Sequence, residues 1–356
     1  MAANGGVMIT EQETVFGTQG KLATILLNRP KALNALSPTQ FQTLDDRLRQ
    51  WDDDDSVAVV LIEGAGGKAF CAGGDIKAVW EGRKRGDEAG NRALFRHEYR
   101  MDRRIHHYCK PYVALLDGIV MGGGAGASIN GRFRVATERS LFAMPETAIG
   151  FFPDVGATHF LSRCPGALGL YLGMSAARLG PGEMLAAGLA THFVPSASLD
   201  SLKLDLAKAA LSNDPTGAVE AALARHHQPQ PSGRLPAIMK IADHAAKADR
   251  AVDYVRRIIE SQDENATAMS AASPTSLAVT FKQLTQGRSL SFDDAIKREF
   301  RLASTFLMGT EFHEGIRALV IDKDKNPAWN PSRLEDVTAE RVNGLFAGDN
   351  EELMFP

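Results

Sequence analysis

Twice in this chain an apolar run suited to a buried strand breaks into a cluster of glycines and resumes as a helix-forming segment. Val57 to Ile62 leads through Gly64-Ala65-Gly66-Gly67 to Phe70-Cys71-Ala72-Gly73-Gly74-Asp75. Tyr112 to Leu116 leads through Asp117-Gly118 to Met121-Gly122-Gly123-Gly124-Ala125-Gly126-Ala127. Near-continuous apolar strands are covered on both faces, which calls for helices packed on a largely parallel sheet. Repeats of strand, glycine turn and helix specify an α/β fold that gathers backbone N–H groups at strand ends and helix starts. Neither loop forms GxGxxG or GxxxxGK[ST] in the context a nucleotide site needs, so kinase and dinucleotide-dehydrogenase chemistry is not indicated.

The flanking pattern fits this scheme. Lys21 to Leu27 predicts a strand ended by Asn28-Arg29-Pro30, because proline cannot continue a ladder. Ser37 as cap and Pro38 at the first helical position open a helix whose Phe41, Leu44, Leu48 and Trp51 share one face. Asp52 to Asp55 reads as a solvated turn rather than a metal site. Glu81 to Arg104, broken by Gly82, Gly86 and Gly90, predicts a mobile segment and then a helix carrying Leu94, Glu98, Met101 and Ile105. Arg132 to Ala136 predicts another strand, and Gly180-Pro181-Gly182 opens a helical unit over Met184 to Leu189 that exits at Val194-Pro195. Beyond Leu204 the chain reads as helices. Gln228 to Pro236, with three prolines and a glycine, is the linker candidate, which divides the chain into a body over 10–226 and a mainly helical region over 237–350.

Composition narrows the function classes. The chain has 356 residues, 44% of them hydrophobic, with 40 basic against 43 acidic side chains and a net charge of -3. Such a chain builds a substantial core, and it has no basic tract interleaved with aromatics, so a nucleic-acid partner is not expected. Cys71, Cys109 and Cys164 belong to no CxxC, which fits a reducing compartment and argues against a disulfide framework or cysteine zinc site. Met1 to Thr10 lacks a basic flank followed by an apolar run, and no stretch is long enough to span a membrane. A soluble, cytoplasmic protein is expected.

Chemistry concentrates in three places. Each glycine loop can present N–H groups to a phosphate or an oxyanion, although glycines also serve tight turns and close packing. The segment Phe142 to Asp154 sets Glu146 and Asp154 among apolar residues, where burial would raise a carboxyl pKa and equip the pair for acid and base work. The competing readings are capping or a loop hydrogen bond for Glu146, a helix cap for Asp154 and a solvated helix face for Glu98. His97, His106 and His107 form no HExxH, and His159 and His192 have no evident Ser or Cys relay.

Leu27-Asn28-Arg29-Pro30-Lys31-Ala32-Leu33-Asn34-Ala35-Leu36, Ala69 to Ile76, the triple-glycine loop, Phe142 to Gly156 and Glu314 to Asp324 together resemble the enoyl-CoA hydratase/isomerase, or crotonase, superfamily. The likeness is greatest to its 3-hydroxyisobutyryl-CoA hydrolase branch and spans nearly the whole chain. It implies a spiral of repeated ββα units followed by a C-terminal helical region, and a site for acyl-CoA thioesters. By resemblance, the N–H groups of Gly74 and Gly123 form an oxyanion hole, and Ala72 lies in the loop that receives the adenine end of CoA. Glu146 takes a family catalytic position, Asp154 matches the additional acid of hydroxyacyl-CoA hydrolases, and Glu98 matches an acid near the substrate. A two-glutamate hydratase carries an acid two residues after the triple glycine, where this chain has Gly126. The expected reaction is therefore hydrolysis of 3-hydroxyisobutyryl-CoA in valine degradation. Hydration or isomerisation of a short enoyl-CoA, and a non-catalytic CoA-binding module, are the alternatives. CoA enters as part of the substrate, no cofactor or metal is called for, and assembly into homo-oligomers is compatible with the resemblance.

Overall fold

Two strands, β1 (Thr14–Gln19) and β2 (Leu22–Leu27), pair antiparallel and start a sheet to which four later strands are added in parallel. The computed structural model describes residues 12–348 and 351–355; Met1 to Thr10, and the expectation about targeting that rests on them, lie outside these. The chain then alternates between two sheets. β3 (Val59–Gly64), β5 (Tyr112–Leu116), β7 (Phe133–Ala136) and β9 (His192–Phe193) extend the large sheet in the order β1-β2-β3-β5-β7-β9. β4 (Ala69–Cys71), β6 (Ile119–Met121) and β8 (Leu141–Ala143) form a second, three-stranded parallel sheet. The strand pairs β3-β4, β5-β6 and β7-β8 thus each supply one strand to each sheet, in keeping with the ββα repeat expected of the chain. Residues alternate along β3 as a strand covered on both faces requires: Val60 and Ile62 join the main core, Val59 and Leu61 a second core under the helices Leu199–Ala209 and Pro215–His226.

Helix α1 (Pro38–Asp52) begins as predicted, with the Ser37 hydroxyl accepting from Gln40 N at 3.3 Å and the Gln40 amide oxygen accepting from Ser37 N at 2.9 Å. The expected mobile stretch from Glu81 is corrected: it is helical, as α2 (Ile76–Lys84) and α3 (Glu88–His106) separated by a short turn. Gly82 and Gly90 allow close contact, and Gly86 supplies a φ of 72° in the turn between the helices. Gly82 is buried against Asn91, whose amide donates to Val79 O at 2.8 Å, and Asp87 caps α3 by accepting from Gly90 N at 2.9 Å.

The stretch from 227 to 234 is irregular, as its prolines predict. The helices beyond it, among them Pro274–Gly287 and Phe292–Met308, bury Leu277, Phe281 and Phe300 in the same core as Ile25 and Phe41. No helix among the described residues is long and apolar enough to cross a membrane.

Candidate active site

The Leu27–Leu36 motif sets the first glycine loop in place. Arg29 holds the Asp75 carboxylate at 2.9 Å and Ala35 O at 2.6 Å, while Asn34 donates to Ala65 O and Ala69 O at 2.9 and 2.8 Å. Leu36 then bonds to the residues on either side of Gly74, donating to Gly73 O at 2.9 Å and accepting from Asp75 N at 2.8 Å. That pattern turns the Gly74 N–H away from Leu36. The second loop starts α4 (Gly123–Ile129), and Gly123, as its first residue, has no partner for its N–H within the helix. The two loops meet because Gly124 has no side chain: a β-carbon there would lie 2.2 Å from Cys71 O. A β-carbon on Gly123 would stand 3.2 Å from Gly74 N, which places the two candidate donors side by side.

Around these donors lies a cavity of about 160 Å³, and it is lined by all six residues singled out from the sequence: Ala72, Gly74, Glu98, Gly123, Glu146 and Asp154. Glu98 is not on a solvated face. It is 3% exposed and its Oε1 stands 2.6 Å from where a Gly123 β-carbon would be. Glu146 opens a short 3-10 turn, Glu146–Ile149, and caps nothing; its Oε2 is buried without a protein hydrogen bond. Asp154 does not cap the helix that follows it either. Glu299, from Phe292–Met308, accepts from Gly156 N and Thr158 N at 2.7 Å each, which leaves Asp154 to accept from the Tyr99 hydroxyl at 2.7 Å. The histidines His159 and His192 do not line this cavity.

The electrostatics follow from burial without a cation. Desolvation, reinforced by the negative charge of Asp154, holds Glu146 well above the ordinary carboxyl range. Desolvation and then Asp154 and Glu146 do the same to Glu98. Asp154 is pushed up by burial to about 7, its rise limited by the Tyr99 hydrogen bond. At about 7, Asp154 exchanges its proton near neutrality, as a general acid or base must.

Several neighbours of the site were not found from the sequence. Tyr99 follows Glu98 directly and its hydroxyl is buried on Asp154. Asp102 lies one turn further along α3, fully buried with neither oxygen hydrogen-bonded within the protein. A β-carbon on Gly126 would lie 2.5 Å from Asp102 Oδ1 and 2.9 Å from the Val155 β-carbon, so no side chain fits at that position without displacement. Phe95, Phe151 and Phe312 form an aromatic wall, Phe312 coming from the C-terminal region. The C-terminal helices therefore cover the site of their own chain. The helical periodicity of α3 could have flagged Asp102 as facing inward with Glu98; no local signal marks Phe312.

Comparison with known proteins gives the family. The family model described as enoyl-CoA hydratase/isomerase matches residues 22–346. A Xenopus tropicalis protein described as 3-hydroxyisobutyryl-CoA hydrolase, mitochondrial, is 42% identical over 348 residues, covering 95% of this chain and 89% of its own length. The Rattus norvegicus protein of the same description is 43% identical over 344 residues, covering 94% of this chain and 88% of its own. The crystal structure of a carnitinyl-CoA dehydratase from Mycobacterium thermoresistibile superposes with TM-score 0.90 at 35% identity, covering 97% of this chain and 99% of that one. The expected cytoplasmic location is overturned, since these curated relatives are described as mitochondrial. The address of a protein is read from a targeting segment, so the composition and cysteine content of the folded body do not determine it.

Proposed function

The chain belongs to the enoyl-CoA hydratase/isomerase family, and from that premise we propose that it hydrolyses the thioester of 3-hydroxyisobutyryl-CoA to 3-hydroxyisobutyrate and CoA. The observation that carries the reading is the composition of one cavity: two adjacent loop N–H groups facing three buried carboxyls, Glu98, Glu146 and Asp154, with no room at Gly126 for a further acid. Alkene hydration in a two-glutamate site needs that acid. Thioester hydrolysis needs donors for a carbonyl oxygen, a group that attacks or activates water, and a proton for the departing sulfur.

The N–H groups of Gly74 and Gly123 polarise the thioester carbonyl and bind the charge that develops on its oxygen more strongly than they bind the ground state. Glu146 then acts in one of two ways. As nucleophile it attacks the carbonyl carbon, the C–S bond breaks, CoA leaves as thiolate, and water cleaves the resulting anhydride. As general base it takes a proton from water while the water oxygen attacks the same carbon. In both routes Asp154 moves the proton that the thiolate finally takes up, and Glu98 binds the substrate hydroxyl. Ala72, at the partly exposed rim, borders the path to the adenine end of CoA.

Liquid chromatography of the products from 3-hydroxyisobutyryl-CoA, with crotonyl-CoA assayed in parallel, tests the reading. Free CoA and 3-hydroxyisobutyrate are the expected products. An intact first substrate together with conversion of crotonyl-CoA to 3-hydroxybutyryl-CoA would replace hydrolysis by hydration. Single turnover in oxygen-labelled water tests the anhydride route, because label enters the Glu146 carboxyl only when water attacks the Glu146 carbonyl carbon of an anhydride.

A further inference from the structure

The cavity has two chemically different walls. One carries the loop amides and the three carboxyls; the other is made of the buried rings of Phe95, Phe151 and Phe312. A thioester carbonyl held at Gly74 and Gly123 extends CoA one way and the acyl group the other. CoA is far larger than the cavity and must leave on the side where Ala72, Asp75, Ile76 and Met121 are only partly buried. The acyl group therefore points at the rings.

Phe312 stands against Phe151 with ring centroids 4.4 Å apart and against Phe95 at 6.5 Å, so the wall is continuous. It is also held from behind. The helix Glu311–Ile316 touches the turn that carries Glu146 so closely that a β-carbon on Gly315 would lie 2.1 Å from Ile149 O. Glu311 ties the same helix to the Ser273 hydroxyl and, at 2.8 Å, to Asn330 N, while Ser273 N donates to Thr147 O at 3.0 Å. Ring and catalytic turn are braced as one unit, and a longer acyl chain cannot push Phe312 aside without moving Glu146.

We propose that Phe312 is the residue that limits acyl length, so that the site takes short branched 3-hydroxyacyl thioesters and rejects longer straight ones. This rests on the thioester-hydrolase reading above. In a pocket of fixed shape one surplus methylene costs about 10–200-fold in kcat/KM, which is the scale on which removal of the ring is expected to act.

The test compares wild type, Phe312→Ala and Phe312→Leu on 3-hydroxyisobutyryl-CoA and 3-hydroxyhexanoyl-CoA, reading CoA release. The ratio of kcat/KM for the longer over the shorter thioester is expected to rise by about tenfold or more in Phe312→Ala and by less in Phe312→Leu. Parallel loss on both thioesters, with the ratio unchanged, would reduce Phe312 to a packing residue and overturn the proposal, as would a wild type that prefers the longer chain. Should the alanine variant fail to fold, the ratio in Phe312→Leu decides by itself. Wild type that releases CoA from neither substrate defeats the hydrolase reading instead. Calorimetric binding of 3-hydroxyhexanoyl-CoA then still decides the length limit, since tighter binding by the alanine variant supports it and unchanged binding removes it.

Discussion

The acids of the cavity and the acids around Arg317 are the same residue types in opposite surroundings. Glu98, Glu146 and Asp154 sit among phenyl rings and glycines, and burial drives their protons on. Glu314, Asp322 and Asp324 gather on one guanidinium: Arg317 donates to Glu314 at 2.9 and 2.8 Å, to Asp322 at 2.7 Å and to Asp324 at 2.6 Å. There the hydrogen bonds from Arg317 hold Glu314 and Asp324 below the ordinary carboxylate range. Glu146 and Asp154, like the Arg317 group, lie in segments that resemble the family. The presence of a cation separates the acid that can trade a proton from the acid that only pins a loop.

The largest consequence expected is on turnover. Glu146→Gln and Asp154→Asn should each lower kcat by about 10²–10⁴-fold while CoA binding and the circular-dichroism spectrum stay as in wild type. Near-normal rates in both would dissolve the contrast drawn here. Next comes Gly123→Ala, whose methyl group would press on Glu98 and the Gly74 amide; a loss of about 10²–10³ in kcat is expected from a spoiled oxyanion site.

The third prediction concerns stability and pH. Asp154 titrates at about 7 in the folded protein against an ordinary 3.8, so between these values the native state holds a proton the unfolded chain has lost. Stability therefore falls as pH rises through that window, and the penalty is complete above it. Asp154→Asn, which can still accept from Tyr99, should be more stable than wild type by roughly 1–4 kcal/mol in urea titrations above neutrality and no more stable near pH 4. Activity should fall as well, with kcat/KM declining as pH rises through about 7 and Asp154 loses the proton it passes to the departing sulfur. The smallest effect belongs to Arg317→Gln, expected to lower Tm slightly, the more so at low salt, with kcat unchanged. A large loss of turnover there would break the comparison from its other side.

Much of this site was legible as residues. The two glycine loops, Glu146 and Asp154 stand out because glycines after apolar strands and acids among apolar neighbours both conflict with the surrounding pattern unless they have work to do. Glu98 could be placed only by resemblance, because an acid on an amphipathic helix looks the same whether it faces water or a cavity. Asp102 and Phe312 were not legible. Asp102 matters through a notch that Gly126 leaves on another helix, and Phe312 reaches the rings of Phe95 and Phe151 from far along the chain. The stretch around Gly82 misled because a glycine that permits close packing and a glycine that breaks a helix are identical in sequence.

The sequence by itself determined the alternation of strands, glycine turns and helices, since periodicity and backbone permissiveness are local properties. It also set the chemical types available to the site. The tertiary structure decided which of them meet. Whether a carboxyl is buried away from every cation, whether Glu299 relieves Asp154 of capping, and which helix closes the cavity all depend on contacts between residues distant in the chain. Desolvation and steric exclusion arise only from those contacts, and they set the proton affinity and the shape on which this chemistry depends.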